Sequence, residues 1–237
     1  MQRWSIVVAL GLGLLVGACG TSTADDSVSP AVAARTAMLD VRAGGCGPNI
    51  GFGTATLIDD TLALTAAHVV AGADRVSVID LDGIEYEARV VWFDPDQDIA
   101  ALLVPPDLGE PVDLQPTDAD AIERGVVAVS RGAFDDRIVI TAHVAVPRHV
   151  NVATTDIYLD RDVVRPGFEV TGEIEPGDSG TMVVAAGGAV GVIWSRSNTT
   201  AGRAWAVDVP DDFRRADFRD SLDTDIDTDV DLGPCLR

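Results

Sequence analysis

Three short segments carry residues whose types and order suit nucleophilic chemistry. His68 lies in Thr65-Ala66-Ala67-His68-Val69-Val70, just after the apolar run Leu62–Leu64. Asp98 lies in Asp96-Gln97-Asp98-Ile99-Ala100-Ala101-Leu102, at the mouth of a second apolar run. Ser179 lies in Glu175-Pro176-Gly177-Asp178-Ser179-Gly180, where the glycines let the backbone turn sharply and aim N–H groups at one point. A serine hydroxyl is a poor nucleophile at neutral pH. It needs a base within hydrogen-bond reach, a carboxylate that holds the base's tautomer, and N–H donors for the oxyanion. His68, Asp98 and the Gly177–Gly180 turn offer all of these, in the order His, Asp, Ser.

The elements that must position these groups read as β-strands. From Val41 to Val209 short β-type runs alternate with turn residues, and no helical apolar stripe reaches ten residues. The runs include Gly53–Ile58, Arg75–Ile79, Ile84–Phe93, Ile99–Val104, Val126–Ser130, Ile138–Val146, Thr181–Ala185 and Ala189–Trp194. Asp82-Gly83 is a two-residue hairpin signal, and Gly187-Gly188 sits in a similar place. The stretch from Pro105-Pro106 to Pro116 has almost no apolar pattern and divides the runs into two comparable groups, so two β-units joined by a linker are expected. Asp211–Leu222 is the one segment predicted to be helical.

Both ends bear on the compartment. Met1–Arg3 carries one positive charge, Ile6–Val16 is apolar, and Val16-Gly17-Ala18-Cys19 follows. A run that short reads as the core of a signal peptide, since a spanning helix needs about 20 apolar residues. Small residues before a cysteine predict cleavage after Ala18 and a lipid on Cys19, which places the protein outside the cytoplasm, anchored to the outer face of the membrane; an ordinary signal peptide cut nearby is the alternative. Either route exports the chain into a disulfide-permitting compartment. With Cys19 lipidated, Cys46 and Cys235 remain and are expected to pair. Thr21–Ala34 reads as a flexible tether. The expected organisation is a signal peptide at 1–18, a tether at 19–40, a catalytic domain at 41–219 with halves at about 41–110 and 117–209, and an acidic tail at 220–237.

The charge excludes some partners. All 17 basic residues are Arg, against 38 Asp plus Glu, for a formal charge of −21. Nucleic acid is excluded, because a phosphate footprint needs a clustered basic surface. A 47% apolar content is too high for a disordered acidic chain, so a packed core is expected. Asp94, Asp96 and Asp98 alternate, yet no glycine turn or downstream Glu completes a calcium loop, so neither metal nor cofactor is expected. The six Asp of Asp220–Asp231 read as a solvated tail, with weak calcium binding as the alternative.

Taken jointly, the three motifs resemble those of the chymotrypsin-like (trypsin-like) serine peptidases, over about Ala43 to Val209, with Gly51-Phe52-Gly53-Thr54 similar to that family's opening strand. Within it the chain has a closer likeness to extracytoplasmic actinobacterial proteases related to the mycobacterial acid-resistance periplasmic serine protease. Gly45-Cys46-Gly47, Ala67-His68-Val69-Val70-Ala71-Gly72, Asp156-Ile157-Tyr158, the Glu173–Gly180 stretch, Gly191-Val192-Ile193-Trp194 and Gly233-Pro234-Cys235 carry that likeness. The resemblance implies an all-β fold of two six-stranded antiparallel barrels with a short C-terminal helix and a cleft between the barrels. It also implies a disulfide tying the domain's two ends, and an endopeptidase acting on exported proteins or peptides. In it Ser179 is the nucleophile, His68 the base and then acid, and Asp98 the orienting carboxylate; the N–H groups of Gly177 and Ser179 form the oxyanion hole. Glu173 takes the position of the primary-pocket floor, favouring Arg or Lys in the substrate. Ser195 and Arg196 take the edge that pairs with substrate backbone, where Arg196 either bridges to Glu173 or favours an acidic residue. The rival reading is a double-barrel scaffold without useful catalysis.

Overall fold

Alternating and fully buried apolar runs fold into two groups of antiparallel strands. The computed structural model describes residues 29–115, 124–130, 137–144, 150–185, 188–224 and 229–236. The signal-peptide, lipidation and Thr21–Val28 readings, Cys19 included, lie outside the described residues. Strands β1 (Met38–Gly45), β2 (Gly47–Leu57), β3 (Leu62–Thr65), β4 (Arg75–Ile79), β5 (Glu85–Asp94) and β6 (Ile99–Leu103) close a barrel in the order β1-β2-β3-β6-β5-β4. Leu39, Val41, Leu57, Leu64, Val78, Ile99 and Leu102 fill it. Strands β7 (Arg124–Ser130), β8 (Arg137–Val144), β9 (Val150–Thr155), β10 (Asp162–Thr171), β11 (Met182–Ala185), β12 (Gly188–Arg196) and β13 (Arg203–Asp208) form a second sheet, ordered β13-β12-β11-β7-β8-β10-β9. There β13 also pairs with β10 over Gly167–Thr171, and Val127, Phe168, Val170, Val183, Ile193 and Ala206 make a separate apolar cluster.

The segments outside the strands are more ordered than their composition suggests. Pro30–Thr36, read as part of the tether, forms helix α1, because Ser29 caps it through Val32 N and Pro30 opens it with a preset φ. The inter-unit linker buries Leu108 and Val112 against the first core. It also meets β12 through Gln115 N to Ala189 O (2.9 Å) and Ala189 N to Asp113 O (2.8 Å). The predicted Asp211–Leu222 helix is divided: a 3₁₀ turn spans Asp211–Arg214 and α3 spans Ala216–Thr224, with Arg215 extended between them. The cause is Phe213, whose fully buried ring meets Trp92 and Phe218 edge-on at 5.0 and 5.2 Å and fixes the chain's direction there.

The end of the acidic tail, where Cys235 is expected to pair with Cys46, packs on the domain. Residues 229–236 lie against the first barrel: Val230 and Leu232 pack on its core, Leu232 O accepts from Gly72 N (2.9 Å) and Tyr158 Oη (2.6 Å), and Cys235 is bonded to Cys46. Alternating Asp concealed the two apolar anchors. The bridge joins positions 189 residues apart, so the loop entropy it removes from the unfolded chain stabilises by at most about 5 kcal/mol. Reduction is accordingly expected to lower the thermal midpoint by many degrees, measured by scanning calorimetry with and without a reductant; an unmoved midpoint would refute it.

Candidate active site

His68 is held by small and apolar neighbours. β3 is buried along its whole length, and Ala66 and Ala67 are fully enclosed, so the chain can turn at once into the four-residue helix α2 (Ala67–Val70). Asp98 sits in the β5–β6 turn with φ +58, a left-handed conformation that Asp tolerates better than most residues. Asp94 Oδ1 shapes this turn by accepting from Asp96 N and Gln97 N, both at 2.9 Å, which accounts for the first of the alternating acids.

Asp98 is 2% exposed. Its Oδ2 lies 2.9 Å from His68 Nδ1, and its Oδ1 accepts the His68 backbone N–H at 2.9 Å. A carboxylate only accepts, so the imidazole proton resides on Nδ1 and Nε2 keeps its lone pair. Burial pushes the His68 pKa down and Arg165 pushes it further, but the charge and hydrogen bond of Asp98 outweigh both and hold it above the ordinary value of 6.5.

Ser179 arrives on a turn docked against the first barrel. Thr54 N donates to Ser179 O (2.8 Å), and Thr54 Oγ1 donates to Gly177 O (3.3 Å). Gly180 has φ +94, and a Cβ there would collide with the Thr54 carbonyl, so this contact requires glycine. Buried Asp178 braces the turn by accepting Glu175 N at 2.7 Å. The N–H groups of Glu175, Asp178, Gly180 and Thr181 all have protein acceptors. Those of Gly177 and Ser179 have none among the described residues, and the Ser179 hydroxyl is likewise free of a hydrogen bond there. The turn thus presents one hydroxyl and two open donors.

A cavity of about 270 Å³ opens beside Ser179. Ser195 and Arg196 line it together with Ile174, Glu175, Ile193 and Trp194. Glu173 is exposed and outside this lining, and the carboxylate in the lining is Glu175. Residues 173–175 lie outside the strands, between β10 and the Ser179 turn, so spacing from Ser179 does not set which carboxylate lines the cavity. The site also contains a residue that sequence reasoning missed: Arg165 of β10 places Nη1 3.8 Å from Asp98 Oδ2. An Arg among strand residues carries no signal of such a role. Among the described residues no cluster of His, Cys, Asp or Glu is arranged to hold a metal, and no helix is long and apolar enough to cross a membrane.

Residues 53–192, which carry His68, Asp98 and Ser179, match the family model of the trypsin-like peptidase domain. The chain belongs to the trypsin-like peptidase family. This trypsin-like domain is 34% identical over 149 residues to the Mycobacterium tuberculosis serine protease Rv3671c, a match covering 60% of this chain and 35% of that protein. The chain therefore spans about a third of the length of the curated relatives it matches. The crystal structure of the active form of the Rv3671c protease superimposes with a TM-score of 0.68 at 25% identity, covering 86% of this chain and 88% of that one. The HtrA-type protease AlgW, solved with a tripeptide, superimposes with a TM-score of 0.62 at 22% identity, over 75% of this chain and 57% of that one. These superpositions establish the chymotrypsin-like fold of the trypsin-like domain.

Proposed function

We propose that this trypsin-like peptidase is a serine endopeptidase that cleaves exported proteins or peptides. In this reading Ser179 Oγ attacks the scissile carbonyl, and His68 Nε2 takes its proton and later passes it to the leaving amine. Asp98 holds the imidazole, and the N–H groups of Gly177 and Ser179 receive the oxyanion. The observation that carries the reading is the pairing of His68 Nδ1 with the buried Asp98 carboxylate, which leaves Nε2 as the acceptor that a serine nucleophile requires. The two open N–H donors of the Ser179 turn support it. The reading includes a second barrel as the site's other wall, in which the ring β13-β12-β11-β7-β8-β10 closes through the β10–β13 pairing and β9 lies outside it.

The test is a fluorophosphonate probe on the mature protein. Labelling is expected at Ser179 alone, to disappear in Ser179→Ala, and to follow an acid limb with a midpoint above pH 6.5, because protonated His68 cannot act as base. Absence of labelling at Ser179 would refute the proposal. Export and membrane attachment through a lipid on Cys19 belong to the same reading.

For cleavage preference, Ile174 and Ile193 give the cavity apolar walls, while Glu175 and Arg196 give it opposite charges. Cleavage of a peptide library is expected to be unchanged by Glu173→Ala, since Glu173 is outside the lining, and to change with Glu175→Ala. An Arg or Lys preference lost in Glu173→Ala would reverse that assignment.

A further inference from the structure

Two neighbouring residues of β10 have inverted polarity. Val164 faces solvent, 53% exposed, whereas Arg165 faces inward and is 2% exposed. Enclosing a guanidinium is unfavourable unless its donors and charge are met, and the groups that meet this one are concentrated at the hydrolytic centre. Arg165 Nε donates to Asp96 O at 2.7 Å, and Nη2 reaches Pro95 O at 3.5 Å. Nη1 lies 3.8 Å from Asp98 Oδ2, and the guanidinium carbon lies 4.3 Å from the centroid of a Trp194 ring. Two peptide carbonyls and one carboxylate of the β5–β6 turn therefore converge on a cation that stacks on the wall of the Ser179 cavity.

We infer that Arg165 is a positioning residue of the peptidase: it fastens the Asp98 turn of the first barrel to the Trp194 wall of the second sheet and offsets the carboxylate charge that faces His68. The inference rests on the serine-peptidase reading above. A turn whose key residue is held at φ +58 has no regular ladder to fix it, and the fork of Arg165 supplies three attachments to that turn, at Pro95, Asp96 and Asp98. The charge acts on His68 through the same geometry. The groups facing the pair are Asp98, against both His68 and Arg165, and Asp94, Asp96 and Asp156 around Arg165. Asp96 and Asp156 are themselves paired with Arg161 of the β9–β10 connection. Asp98 raises the His68 pKa and Arg165 lowers it, so the guanidinium keeps more of the imidazole in its basic form near neutral pH.

The experiment measures the second-order rate constant of Ser179 labelling by a fluorophosphonate against pH for wild type, Arg165→Met and Arg165→Lys, with thermal midpoints for all three. Methionine keeps much of the length and removes charge and fork; lysine keeps the charge and loses the fork. Arg165→Met is expected to label about 10- to 100-fold more slowly at its optimum, the cost of a slightly misplaced carboxylate. Its acid limb is expected at higher pH than in wild type. Arg165→Lys is expected to return the limb to the wild-type position while recovering only part of the rate. A folded Arg165→Met with wild-type rate and limb would overturn the inference. So would a slower variant whose limb stays in place and whose rate loss matches its unfolded fraction, the signature of a strut alone. Should Arg165→Met not fold, Arg165→Lys decides: a wild-type rate overturns the inference. Failure of the wild type itself to label refutes the peptidase reading instead, so the two outcomes are distinct.

Discussion

Replacing Ser179 with alanine is expected to lower kcat for peptide hydrolysis about a million-fold, with KM and fold nearly unchanged. The expected loss is large because in the proposed mechanism base, carboxylate and nucleophile act as a unit, so the base has no proton to take once the hydroxyl is gone. The fold is expected to tolerate the change because the hydroxyl makes no hydrogen bond among the described residues, while the backbone of residue 179 makes the contact with Thr54. The proposed oxyanion donors, the N–H groups of Gly177 and Ser179, are backbone groups that persist in the variant, so residual cleavage above the uncatalysed rate is expected. Single-turnover cleavage of a fluorogenic peptide, alongside thermal melting of both proteins, measures both halves of the statement. A variant that retained more than a thousandth of the activity would remove Ser179 from the mechanism.

The candidate site was more legible in the sequence than the framework around it. His68, Asp98 and Ser179 each stand beside small or apolar residues that an exposed polar residue would not require, and the structure brings His68 and Asp98 into contact and docks the Ser179 turn on Thr54. Strands β9, β10 and β13 do not stand out as apolar runs, because each mixes polar residues into a pattern that only its neighbours in the sheet complete. Arg165 was hidden for a related reason. A strand's alternation predicts which positions face inward, and an inward arginine is legible only once the carbonyls of Pro95 and Asp96, far away in the chain, are known to meet it. Charge masked the C-terminal segment, where Val230 and Leu232 among alternating Asp anchor residues 229–236 on the barrel. The placement of Glu173 outside the cavity lining could not follow from counting back from Ser179, since residues 173–175 belong to no strand or helix whose period would set which way each side chain faces.

Asp98→Asn is expected to lower kcat about ten-thousand-fold without a large change in fold. Asp98 now accepts on both oxygens, from the His68 backbone N–H at Oδ1 and from His68 Nδ1 at Oδ2. An asparagine cannot satisfy both. If its oxygen stays on the backbone N–H, its amide donates to Nδ1, the imidazole proton moves to Nε2, and the lone pair that should receive the Ser179 proton is lost. If the amide turns over, its NH₂ faces the backbone N–H and leaves two donors opposed in a buried place. Arg165, 3.8 Å from Oδ2, draws the remaining oxygen to that side and sharpens the conflict. The pH dependence carries a second signature. Asp98 is what raises the His68 pKa against burial and Arg165, so removing its charge is expected to move the acid limb of the residual activity to lower pH, opposite to the shift expected for Arg165→Met. Labelling rates across pH for the two variants measure both signs in one assay. Limbs that moved in the same direction would show that Asp98 and Arg165 do not act on His68 as opposing charges.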